Sequence, residues 1–109
     1  MHQQNEELLQ ALRDCSAACN HCYHACLHEE DVQMMAKCIQ LDRNCADICS
    51  LAASWVASGS GMTDKILRLC AEVCDTCAEE CSKHKDEHCR RCADSCRNCA
   101  EVCLASLSN

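Results

Sequence analysis

The chain has 109 residues, with 16 Cys, no Pro, two Gly, no Phe, one Trp and a formal net charge of −7. That length is one domain, 1–109, and without its thiols the apolar core would be thin. The acidic balance and the scarcity of aromatics exclude a nucleic-acid-binding surface, and no run of about 18 apolar residues is present to cross a membrane.

In chain order, the pattern predicts four helices over about 5–28, 31–57, 63–83 and 86–106, because nothing in those stretches breaks a helix and β-branched residues are few. The start, Met1-His2-Gln3-Gln4-Asn5-Glu6-Glu7, lacks the basic segment and apolar run of a secretory signal. The expected location is therefore cytoplasmic, a reducing compartment where thiols stay free. The first helix ends at the polar break His28-Glu29-Glu30-Asp31, and the third at Ser82-Lys83-His84-Lys85-Asp86-Glu87. Between helices two and three lies the one Gly/Ser-rich stretch, Ser58-Gly59-Ser60-Gly61. It divides the chain into two similar helical hairpins, about 1–57 and 62–109. Short connections favour antiparallel neighbours, so the fold class is all-α, an up-down-up-down four-helix bundle with a Cys-lined core.

The halves read as a repeat. Cys15, Cys19, Cys22 and Cys26 map onto Cys70, Cys74, Cys77 and Cys81 at one constant offset, and Cys38, Cys45 and Cys49 map onto Cys92, Cys99 and Cys103. Met35 stands where the second half has Cys89, and Asp42 where it has Cys96. Steps of four, three and four residues keep each set within a band of roughly 40° on its helix, the seam a bundle turns inward. The Ala, Ser, Asp, Glu, Arg, Asn and His between the Cys suit outer faces. Cys can fill a core as a small hydrophobe, but that does not account for sixteen at nearly every seam position, where Leu would pack better.

Soft thiolates select Cu(I), Zn(II) or iron–sulfur clusters. Zinc wants four ligands around one ion, usually from loops that wrap it. Iron–sulfur motifs use close Cys runs in loops, often ending in Cys-Pro, and there is no Pro here. Cu(I) is satisfied by two thiolates, and Cys one helical turn apart have Cβ atoms about 5–6 Å apart. Bridging thiolates would let a ladder of Cu(I) ions run along the bundle axis.

The two ends of such a bundle differ. Leu8, Leu12, Trp55, Val56, Ile66, Leu67, Leu104 and Leu107 read as an apolar plug at one end. Met34, Met35, His84 and His88 lie near the other, at the edges of the Cys stripe, and suit a port where an ion is captured and passed on. His21, His24 and His28 fall roughly opposite the stripe of helix one and read as a surface stripe. Asp42 reads as a seam-edge charge paired with Arg43 or a neighbouring helix, the alternative being a group that supports the thiolates from behind.

These residues resemble the copper storage proteins, a bacterial family of Cys-rich four-helix bundles. The resemblance rests on Cys15-x3-Cys19-x2-Cys22-x3-Cys26, Met35-x2-Cys38-Ile39, Asn44-Cys45-Ala46-Asp47-Ile48-Cys49 and His88-Cys89-x2-Cys92-x3-Cys96-x2-Cys99-x3-Cys103. It implies storage of multiple Cu(I) ions in the core, a Met/His-bearing open end, and a homotetramer of bundles of the cytosolic type. The departure is a thinner helix two with Asp42 on the seam. Competing readings are a disulfide-stapled helical protein, which needs an oxidising compartment and fewer Cys, and a zinc buffer. No Cys is set apart as a nucleophile with a matched base, so the chain is not read as an enzyme.

Overall fold

The computed structural model describes residues 3–108, so Met1-His2 of the chain start lies outside it. Helix α1 spans Gln3–Leu27, α2 Ala36–Ser58, α3 Thr63–Cys81 and α4 Glu87–Ala105. Each helix packs on its two neighbours, α1 with α2 and α4, α3 with α2 and α4, while the diagonal pairs do not approach through their backbones among the described residues. The result is a four-helix rod of 44 × 19 × 18 Å.

The second expected helix starts later than the pattern suggests. A 3-10 turn over Val32–Met35 precedes α2. Asp31 makes no side-chain cap bond there, and the tighter i→i+3 bond from Met34 N–H to Asp31 O, 3.2 Å, takes one of the orphan amides instead. At the other end of α2, Gly59 adopts φ 74° and closes the helix. Its amide donates to Val56 O, and the Ser60 amide donates to Trp55 O at 3.0 Å. This pair of hydrogen bonds requires a left-handed residue, a conformation glycine adopts without a Cβ penalty.

All sixteen thiols are 0 % exposed. Beside the seams Ala46, Ala71, Ala78, Ala93 and Ala100 are also buried, against the expectation that alanines line outer faces. Methyl side chains at the helix–helix contacts let the backbones close until the sulfurs fill the axis. At the plug end Leu8, Leu12, Val56, Ile66 and Leu67 are buried, with Trp55 and Leu107 packed against them. Each such side chain contributes about 1.5–3 kcal/mol of burial energy. Leu104 is a correction: it is 51 % exposed, because it follows Cys103 directly and lies about 100° around the helix from the seam.

Candidate metal centre

The thiol seams of the four helices meet along the bundle axis. The sulfurs touch across diagonals that the backbones leave open: Cys15 to Cys74 at 3.9 Å, Cys45 to Cys96 at 3.7 Å and Cys49 to Cys99 at 4.0 Å. Sets of donors recur along the axis with all their ligand atoms within 4.8 Å of one another, five of them sets of four that follow one another. From plug to mouth they are Cys15, Cys49, Cys74 and Cys99; Cys15, Cys19, Cys45 and Cys96; Cys19, Cys77, Cys92 and Cys96; Cys22, Asp42, Cys81 and Cys92; and Cys22, Cys26, Cys38 and Cys89. Successive sets share Cys15, Cys19, Cys96, Cys92 and Cys22, so they form one column rather than separate sites. Cys70 and Cys103 extend it toward the plug, 3.7 Å from Cys49 and 4.0 Å from Cys99 respectively. Every Cys is free, and most sulfurs have several sulfur neighbours, so no disulfide pairing is singled out.

Asp42 corrects the sequence reading. It is 0 % exposed and sits on the axis. Its Oδ1 accepts from Cys92 at 3.3 Å, Cys77 at 3.4 Å and Cys81 at 3.5 Å, and Oδ2 from Cys38 at 3.8 Å. Arg43 points away, to Asp47 at 3.0 Å and to the Asn20 side chain at 2.8 Å. Burial, and then the nearby Cys92 thiolate charge, push the Asp42 carboxyl up to about 7. Burial likewise pushes the Cys26 thiol up, with the charges of Cys38 and Cys89 adding to it. Burial opposes the charge on every shifted thiol of the column, while hydrogen bonds from neighbouring thiols draw Cys15, Cys45, Cys70, Cys92 and Cys99 down, and a monovalent soft cation that replaces each thiol proton leaves the core charge unchanged.

The four predicted port residues separate. Met35 is buried at 5 % exposure within the core cluster, while its neighbour Met34 is 70 % exposed on the outside of the 3-10 turn. The Nδ1 of His88 faces three sulfurs, Cys22 and Cys89 at 3.5 Å and Cys26 at 3.8 Å. His84 instead bonds through Nε2 to Glu80 at 3.0 Å. Glu80 also faces Lys83 at 3.6 Å and Lys37 at 4.0 Å. Burial opposes the charge on Glu80, but the His84 bond and the nearby cations hold its carboxyl below the usual carboxylate range. His21, His24 and His28 are exposed, as their spacing implied, and His28 Nδ1–H donates to His24 O at 2.9 Å. Two carboxylates were missed from the sequence. Glu80 was legible as a partner four residues before His84. Glu29, which accepts from His88 Nε2–H at 2.8 Å, carries no local signal.

A bundle whose axis is a continuous column of shared thiols defines a multinuclear binder of soft metal ions. The chain belongs to the copper storage protein family, whose profile, described as "Csp: Copper storage protein", matches residues 1–108. It is similar to the Cu(I)-bound copper storage protein BsCsp3, with 42 % identity over 97 % of this chain and 100 % of that one, at a TM-score of 0.93. A cytosolic copper storage protein from Streptomyces lividans, described with five coppers, shares 35 % identity over 98 % of this chain and 94 % of that one, at a TM-score of 0.94. The uncharacterized cysteine-rich protein YhjQ of Bacillus subtilis (strain 168) is 45 % identical over 75 residues, which is 69 % of each chain.

Proposed function

We propose that the protein stores Cu(I) in bulk within its thiol column, serving copper storage and detoxification. The observation that carries this is the sharing of sulfurs between adjacent four-donor sets. Shared thiolates suit an ion content with two soft ligands and waste donors for an ion that wants four of its own. Uptake proceeds by R–SH plus Cu(I) giving R–S–Cu plus a proton, repeated along the axis. The ligands are Cys15, Cys19, Cys22, Cys26, Cys38, Cys45, Cys49, Cys70, Cys74, Cys77, Cys81, Cys89, Cys92, Cys96, Cys99 and Cys103. His88 and Met35 complete the set at the mouth, and His84 and Met34 stand at its outer rim. Among the described residues no helix is long and apolar enough to cross a membrane, and the cytosolic description of the Streptomyces neighbour supports a cytosolic store.

Anaerobic Cu(I) titration against a competing chelator, read by mass spectrometry of the loaded chain, is expected to give about 10–20 ions per chain, and more than about eight in any case. Saturation at one or two ions would overturn storage. Four zinc ions per chain with no preference for Cu(I) would make it a zinc buffer.

Self-association belongs to the same reading. Leu51 and Leu69, 47 % and 52 % exposed, line an apolar groove on the α2–α3 face with Ile48, Trp55 and Ile66. A second copy of the chain offers the same groove and covers it symmetrically, as expected of a homo-oligomer. Sedimentation is expected to show an oligomer that Leu51→Asp with Leu69→Asp converts to monomers, with copper per chain unchanged. A monomeric starting protein would remove this part of the reading.

A further inference from the structure

We propose that Glu29 is the positioning residue of the mouth: its carboxylate fixes the tautomer and ring direction of His88, so that Nδ1 offers a lone pair to the Cys22, Cys26 and Cys89 sulfurs. The proposal rests on the reading of His88 as a copper ligand. A carboxylate oxygen only accepts, so the 2.8 Å contact between His88 Nε2 and Glu29 Oε2 places the ring proton on Nε2. The neutral ring then has its lone pair on Nδ1, the atom 3.5 Å from two sulfurs and 3.8 Å from a third. A carboxylate behind a ligating imidazole is the arrangement that orients such rings and raises their basicity.

The backbone supports this role. Glu29 lies in the turn after α1, and its amide donates to Cys26 O at 3.2 Å, so the carboxylate is anchored one turn from a thiol that His88 faces. The dyad also bridges interior and solvent, the His88 side chain being 14 % and that of Glu29 34 % exposed. The second dyad at this end is built differently. His84 likewise meets a carboxylate, but Glu80 is shared with two lysines, and no sulfur lies within hydrogen-bonding distance of His84 among the described contacts. Of these two dyads, the Glu29–His88 pair is the one aimed at the column.

The test is the rate of Cu(I) transfer from a chelator into reduced, metal-free full-length protein, measured for Glu29→Ala, Glu29→Gln, His88→Ala and the Glu29→Ala/His88→Ala pair. Glu29→Ala is expected to slow transfer about 10–100-fold with total capacity unchanged. Glu29→Gln, which still accepts from Nε2–H, is expected to restore most of the rate. Nitrogen-15 spectra of the imidazole should show Nδ1 unprotonated in the parent and mixed tautomers in Glu29→Ala. In the His88→Ala background, Glu29→Ala should add nothing. A His88→Ala variant that loads at the parent rate would sink the ligand reading itself. If His88→Ala slows loading while Glu29→Ala does not, or if Glu29→Ala keeps its full effect without His88, the positioning role alone is overturned.

Discussion

Stripped of copper and fully reduced, the protein is expected to keep its helices, and filling it with Cu(I) is expected to raise its unfolding midpoint by more than about 20 °C. The first half follows from the core. The buried Cys side chains pack as small apolar groups, the plug supplies Leu8, Leu12, Ile66 and Leu67, and no buried side-chain nitrogen or oxygen among the described residues lacks a partner. Folding therefore does not wait for metal, unlike a zinc finger. The second half follows from linkage. A ligand held by the native state alone at 100 times its dissociation constant adds about 2.7 kcal/mol. In a domain of this size each kcal/mol moves the midpoint by about 4–8 °C, so two such ions suffice. An unfolded chain keeps its Cys and binds some copper, which reduces the gain. The folded column still wins, because its donors already stand within 4.8 Å of one another. Circular dichroism of the stripped protein and melts of both forms check this. A coil spectrum without copper, or coincident melts, would refute it.

The parts of this arrangement that were legible in the sequence are those fixed by helical period. Cys15, Cys19, Cys22 and Cys26 can share a face only if the chain is helical there, and the same steps recur on the other helices, so bundle and column followed together. What period could not supply was chemistry across the axis. Asp42 falls on the seam by spacing, four residues after Cys38 and three before Cys45. Its charge argued for an edge, yet four thiol donors and a carboxyl free to hold its proton make the axis tolerable. Met34 and Met35 are neighbours and cannot both face inward. The phase of the 3-10 turn over Val32–Met35 decides which does. Glu29 and His88 meet only because the α1–α2 turn folds over α4, a contact between distant positions that no local pattern encodes.

Asp42→Asn is expected to stabilise the copper-free protein at pH 8 by a few kcal/mol and to leave it nearly unchanged at pH 4. The sign follows from the shift. The folded carboxyl titrates at about 7 against an ordinary value of 3.8, so folding favours the protonated acid. Its protonated form carries no penalty below the unfolded value. As pH rises from about 4 to about 7 the unfolded chain ionises first and stability falls. Above about 7 the whole penalty is present, at most about 4 kcal/mol. An amide is neutral throughout and avoids it. Urea midpoints of both reduced, metal-free proteins across this range should therefore diverge as pH rises, and curves that run parallel would refute the argument. Copper changes the balance. Asp42 shares a four-donor set with Cys22, Cys81 and Cys92, and a Cu(I) ion that binds there against the carboxylate, with no thiol proton released in exchange, supplies the positive charge that the buried carboxylate lacks. The advantage of Asp42→Asn is thus expected to shrink in the loaded protein. A carboxylate that costs the empty column and not the full one widens the stability gap between them, which is a gain for a store whose loaded form must persist.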